Sequence, residues 1–185
     1  MSEITVAIRY AKAIIDLAVE QNKLEDVNKD MDFFVHTIKA NPQLNAVLAN
    51  PIIYHDKKIK ILDGIFGGKV SDLTLSFFKL MVNKSRAEIL YPAAIEFVNQ
   101  YDVKKNITKA SVVSATELSE ENKKTIIAEI EQSTGGTVKL SAKVDPELIG
   151  GFVLTVGDRQ IDTSISNSLA RLKREFSHRV ITVTK

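Results

Sequence analysis

The residues that could carry chemistry are few, and their spacing argues against it. The three histidines, His36, His55 and His178, fall in different elements with no second ligand at metal-binding spacing, so they read as surface or helix-end side chains. Gly150-Gly151 with Gly157 suggests a phosphate loop. That loop needs Gly-x-x-x-x-Gly-Lys-Ser/Thr running into a helix, whereas Gly157 is followed by Asp158 and a strand-like run; no Gly-x-Gly-x-x-Gly occurs either. These glycines read as hairpin and bulge geometry. Glu120-Glu121 and Glu129 with Glu131 could pair for acid–base work, but they sit on a capped, solvent-facing helix and nothing in the sequence builds a cleft around them. The basic run Arg171, Lys173, Arg174 and Arg179 lacks interleaved aromatics for base stacking. An enzyme is therefore not expected, and these residues build no legible cofactor or metal site.

The bulk composition is equally plain. The 185 residues are 44% apolar and 26% charged with a net charge of +2, values of a folded globular chain with no general pull towards nucleic acid or anionic lipid. The absence of cysteine excludes disulfides and thiolate chemistry. The opening MSEITVAIRYAKAIIDLAVE carries Glu3, Arg9, Lys12 and Asp16 through its apolar stretch, so it does not read as a signal peptide. No apolar run is long enough to span a bilayer.

Two textures divide the chain near residue 104. Up to there the pattern is helical throughout. Leu24, Val27, Met31, Phe34 and Ile38 form the stripe of a one-faced helix. Asn41-Pro42 and Asn50-Pro51 bracket a short helix over Gln43–Ala49. A helix over 56–66 ends at Gly67-Gly68, and Ser71 caps another from Asp72 to Lys84. A last one opens at Ser85 or Arg86 and runs to about Val103, with Pro92 in its first turns. Six helices with short connections predict a six-helix bundle. Beyond Lys105 the spacing predicts a small α+β domain: strand Ile107–Ala115, a helix capped at Ser119, strands Thr137–Val144, Ile149–Val156 and Arg159–Ile165, and a helix over Ser166–Ser177. Leu169, Leu172 and Phe176 lie on one side of that helix and are expected in its core; the tail Arg179–Lys185 reads as a short extra strand.

The first helix is the anomaly. At 100° per residue, Thr5, Arg9, Lys12, Asp16 and Glu20 share one narrow polar sector, and apolar residues cover roughly 240° of the rest. A helix with one buried face needs a stripe of about 100° or a little more. The helix at 72–84 repeats the pattern: Asp72, Ser76, Lys79 and Asn83 share one side, with apolar residues over roughly 220°. Either both helices are buried all round, or together they leave an apolar groove for a helix of another chain. Hiding roughly 500 Å² of apolar surface is worth about 12 kcal/mol gross, against an association cost on the order of 4–15 kcal/mol. Such a contact would want support from a second site, which a second domain could supply.

Three blocks resemble the delta subunit of bacterial F-type ATP synthases. Arg9-Tyr-Ala-Lys-Ala-Ile-Ile-Asp-Leu-Ala18 is similar to that family's first helix. Phe78-Lys-Leu-Met-Val-Asn-Lys-Ser-Arg86 followed by Leu90-Tyr-Pro92 is similar to its fifth helix and the start of its sixth. The third block is Val138-Lys-Leu, Lys143-Val-Asp-Pro-Glu-Leu-Ile-Gly-Gly-Phe-Val-Leu, Gly157-Asp-Arg-Gln-Ile-Asp and Ser168-Leu-Ala-Arg-Leu172. The resemblance runs over essentially the whole chain, in order.

It implies a non-catalytic stator, counterpart of the mitochondrial oligomycin-sensitivity-conferring protein. Residues 1–104 would take up an N-terminal helix of an alpha subunit of the F1 head in a groove between the first and fifth helices. Residues 105–185 would grip the C-termini of the peripheral-stalk b subunits. One copy would serve each complex, held at the cytoplasmic face of the bacterial inner membrane without inserting into it, binding no nucleic acid, and coupling proton-driven rotation to ATP synthesis. Carried over by position, the groove would be lined by Val6, Tyr10, Ala13 and Leu17 on the first helix and by Leu73, Phe77 and Leu80 on the fifth. Ile4, Ile8, Ala11 and Ile15 would then belong to the core. The final helix departs from the family, which is usually richer in arginine there. A nucleic-acid module using Arg171–Arg179 is the competing class, and an enzyme stands third.

Overall fold

A computed structural model describes the backbone of residues 3–182 and the side chains of residues 3–174. The chain divides into two compact units, Met1–Lys104 and Lys105–Lys185.

The first unit holds six α-helices: α1 (Glu3–Glu20), α2 (Leu24–Ala40), α3 (Pro42–Ala49), α4 (His55–Phe66), α5 (Asp72–Asn83) and α6 (Leu90–Lys104). A 3₁₀ turn over Ala87–Ile89 leads into α6 and places Pro92 in that helix's first turn, where a missing N–H costs nothing. α2 buries Val27, Met31, Phe34 and Ile38, the stripe its period predicts. Phe34 stacks against Phe66 of α4 (centroids 5.2 Å apart) and Phe78 of α5 (4.6 Å), which ties three helices to one aromatic cluster. α1 packs mainly on α6, and both contribute small buried side chains, Ala7, Ala11 and Ala18 with Ala93 and Ala94, so the helices can approach closely. Gln100 Nε2 donates to the Ile8 carbonyl across this pair (3.3 Å), and Tyr101 of α6 donates its hydroxyl to Glu25 of α2 at 2.5 Å.

The N-terminus of α5 is fixed by α2. Ser71 caps the helix by accepting from the Thr74 N–H (3.4 Å), while Asp30 accepts from the Ser71 N–H (2.8 Å), the Ser71 hydroxyl (2.6 Å) and the Thr74 hydroxyl (2.8 Å). Lys58 is buried in the same unit. Its Nζ donates to the Leu48 carbonyl at the end of α3 (2.6 Å), one of the orphan carbonyls of a helix terminus. Burial pushes the Lys58 ammonium below the usual lysine range, and Glu88 pulls it back.

The second unit is a four-stranded sheet with helices. β1 (Ile107–Ser114) is followed by α7 (Glu120–Thr134), β2 (Thr137–Val144), β3 (Phe152–Val156), β4 (Arg159–Asp162) and α8 (Ile165–Thr182). The sheet order is β2-β1-β3-β4. β1 runs parallel to β2, with Ile107 opposite Thr137, and antiparallel to β3, with Val112 opposite Leu154. α7 supplies the crossover that a parallel pair requires. The core is Ala110, Val112, Ile130, Val138 and Leu154, flanked by Leu118, Ile126, Ile127, Leu140, Phe152 and Val156.

Three expectations fail here. The strand expected from Ile149 begins only at Phe152. Asp145 accepts from the Glu147 N–H and starts a 3₁₀ turn over Pro146–Leu148, after which Ile149 takes a positive φ of 63° that no strand residue adopts. The strand expected through Ile165 stops at Asp162, because the Ser164 hydroxyl caps the next helix by accepting from the Asn167 N–H. The extra strand expected over 179–185 is replaced, as far as Thr182, by the continuation of α8; residues 183–185 lie outside the described residues. Val180, Ile181 and Thr182 favour strands locally, but a strand needs a partner edge and a helix already under way needs only itself.

Candidate partner-docking face of the helical unit

α1 buries Ala7, Ala11, Ile14, Ile15 and Ala18, a stripe of ordinary width. The alternative in which it is buried all round is thereby excluded. Ile4 and Ile8, assigned to the core on sequence, are 68% and 41% exposed. Ile8 lies on one flank of the buried stripe, whereas Ile4 falls within its arc in the helix's first turn, ahead of Ala7, the first buried residue. Val6, Tyr10, Ala13 and Leu17 occupy the other flank, about a third of a turn from the stripe's centre. Val6 and Tyr10 are half-buried; Ala13 and Leu17 are exposed.

α5 is built the same way. It buries Thr74, Phe78, Met81 and Val82, and the flank at the matching angle carries Leu73, Phe77 and Leu80. Leu73 and Phe77 are half-buried, and Leu80 is 47% exposed. The Phe77 ring leans on Phe78 (centroids 6.3 Å); on the opposite side of the helix Lys79 pairs with Asp63 of α4 at 2.9 Å. α5 packs chiefly on α4 and α2, and α1 on α6, so α1 and α5 are not each other's main neighbours. A helix pair that already filled its own seam would have no room for a third helix.

The structure brings only some of the seven expected residues together. Val6, Tyr10 and Ala13 line one concavity of about 310 Å³, joined by Arg9 and by Arg86 from just beyond α5. Leu17, Leu73, Phe77 and Leu80 do not line it. Sequence reasoning misses both arginines: on a helical wheel Arg9 belongs to the polar sector, and Arg86 only closes a family motif. The signal available for Arg86 is its position immediately after α5.

The remaining candidates serve local structure. His36 is exposed, and His55 meets Ser85 through Nε2 and the hydroxyl oxygen at 3.3 Å; the side chain of His178 lies outside the described residues. Gly151 is no phosphate loop and no hairpin residue. Its φ is +80°, and a Cβ there would stand 2.4 Å from the Thr163 carbonyl oxygen, so chain crossing demands glycine. The true hairpin glycine is Gly157, with a φ of 56° between β3 and β4. In the second unit, Leu169 and Leu172, expected in the core, are exposed, Leu169 by 53%, and Ile161 and Ile165 are exposed nearby in sequence. Strands β1, β2 and β3 with α7 and Leu118 supply that core, and neither β4 nor the described side chains of α8 contribute to it. The side chain of Phe176 lies outside the described residues. No helix of the described residues is long and apolar enough to cross a membrane.

Comparison with known proteins agrees over nearly the whole chain. The family model described as ATP synthase delta (OSCP) subunit matches residues 6–176. A protein of Cytophaga hutchinsonii called ATP synthase subunit delta is 40% identical over 181 residues, covering 98% of this chain and 99% of the relative. One of the same name from Chlorobium luteolum is 38% identical over 177 residues, covering 96% and 98%. In fold, the chain is similar to one in a cryo-electron-microscopy structure of the Toxoplasma gondii mitochondrial ATP synthase hexamer, with a TM-score of 0.70 at 22% identity, covering 92% of this chain and 96% of that one. With the family model spanning both units, this chain belongs to the ATP synthase delta (OSCP) subunit family.

Proposed function

We propose that this chain is the non-catalytic stator subunit of a bacterial F1Fo ATP synthase. Its helical unit, acting as one six-helix bundle, takes up the N-terminal helix of an alpha subunit of the F1 head. Its α+β unit holds the C-termini of the b subunits, through the exposed apolar residues Ile165, Leu169 and Leu172 of α8. One copy in the assembly, peripheral to the cytoplasmic face of the inner membrane, keeps the head from turning with the rotor, so proton-driven rotation is spent on ATP synthesis.

The observation that carries the reading is the apolar flank of α1 left uncovered around the concavity of Val6, Tyr10 and Ala13. An exposed apolar surface bounded by charge is what a docked amphipathic helix would cover. The helices α1 and α5 would each give it one wall. The test is calorimetric titration of the full chain with a synthetic peptide of the alpha-subunit N-terminal helix. Tyr10→Asp and Ala13→Asp should leave the chain folded and abolish binding. If both variants bind the peptide like wild type, the assignment of the face is wrong. Copurification with alpha, beta and b chains from solubilised membranes tests the assembly as a whole.

A further inference from the structure

The concavity on α1 is apolar at Val6 and Ala13 but cationic at its edge, since Arg9 and Arg86 are both among its lining residues and no carboxylate is. Arg86 is exposed, and among the described residues no hydrogen bond or ion pair occupies its guanidinium; only its backbone N–H is engaged, donating to the Met81 carbonyl at 2.8 Å. That backbone bond closes the end of α5 and fixes where the side chain starts. Among the described residues the Tyr10 hydroxyl likewise has no partner in the concavity it lines. A planar five-donor fork and a phenol beside a small apolar depression form a receptor for one carboxylate next to one apolar side chain.

We propose that Arg86, assisted by Tyr10, is the specificity-determining residue of this face, and that it selects a docked helix carrying an Asp or Glu at the border of its apolar stripe. The inference rests on the reading of the face given above and adds the chemistry of the occupant. The apolar flank alone would accept any amphipathic helix in either direction. A carboxylate beside the stripe fixes register and polarity, because only one placement brings it to Arg86 while an apolar residue enters between Val6 and Ala13. Docking would also strip water from the guanidinium, so a partner lacking the carboxylate would leave it desolvated and unpaired.

The experiment titrates the full chain and its Arg86→Glu and Arg86→Gln variants with the synthetic alpha-subunit N-terminal helix peptide. A second series replaces each Asp or Glu of the peptide singly by Lys. Arg86→Glu should weaken binding by about tenfold or more, Arg86→Gln by less, and one charge-reversed peptide should recover affinity with Arg86→Glu while losing it with wild type. The wild-type advantage should shrink as salt rises. Thermal melts of the variants should match wild type, since the replaced side chain is exposed. If Arg86→Glu binds the unmodified peptide as well as wild type does, or if no reversed peptide recovers affinity, the proposal falls while the docking face stands. If the wild-type chain itself fails to bind, both fall together.

Discussion

Asp30 of α2 holds Ser71, the cap of α5, by both of that residue's donors: the backbone N–H at 2.8 Å and the hydroxyl at 2.6 Å. Because the same oxygen takes the Thr74 hydroxyl, one carboxylate decides where α5 begins and which flank of it faces outward. Asp30→Ala should destabilise the helical unit by about 1–3 kcal/mol, and Ser71→Ala by about 1 kcal/mol. The double variant should cost clearly less than the sum of the two, since the groups act as one network. Urea unfolding of the four proteins checks this, and simple additivity would show that the contacts act independently.

Tyr101 gives a pH dependence with a definite sign. Burial first, then the hydrogen bond to Glu25, pushes its phenol from 10.0 up to about 12. A group whose value rises on folding favours the folded state while it stays protonated in both states. The stabilisation is complete below pH 10 and is lost as the pH climbs from 10 towards 12, by at most about 1.4 kcal/mol per pH unit. Alkaline titration of stability should show this fall, and Tyr101→Phe should flatten it. An unchanged slope in the Phe variant would assign the fall to another group.

The two sides of α1 should respond oppositely to bulk. Ala11 is fully buried, and Ala11→Leu should cost about 1–3 kcal/mol by overpacking. Ala13 is exposed on the flank proposed to dock the partner, and Ala13→Leu should change stability by no more than about 0.5 kcal/mol while altering peptide affinity. Equal destabilisation by both would mean that the second flank is not free.

Two glycines with left-handed φ should differ for a steric reason. At Gly68 (φ +71°) an added methyl group would meet nothing within 4 Å, so Gly68→Ala should cost about 1–2 kcal/mol of backbone strain alone. Gly151→Ala adds a collision with the Thr163 carbonyl and should cost distinctly more in thermal unfolding. A milder effect at Gly151 would mean that the chain crossing there can relax.

The sequence showed the helices well where each has one period and one partner. Val27, Met31, Phe34 and Ile38 needed no more than spacing. It also showed that α1 carries surplus apolar surface, but not which flank is surplus: Ile8 and Tyr10 stand at comparable angles from the centre of the stripe, and only the position of α6 and the fold of Arg86 against the second flank distinguish them. Leu169 and Leu172 looked like core because their spacing is that of a buried face, yet an apolar face awaiting a partner has the same spacing. Ile149 failed for a local reason, since the Asp145-Pro146 turn outweighs the strand preference of one β-branched side chain.

β1 is the strand that follows directly on the helical unit, and it is hydrogen-bonded along both edges, to β2 on one side and β3 on the other. Tension arriving along the backbone at Lys105 therefore pulls β1 lengthwise. The two ladders are loaded in shear, with many bonds strained together, instead of being peeled open one at a time. Entry through the middle of a sheet, bonded along both edges, therefore anchors the start of the second unit against a pull along the chain better than an edge strand would.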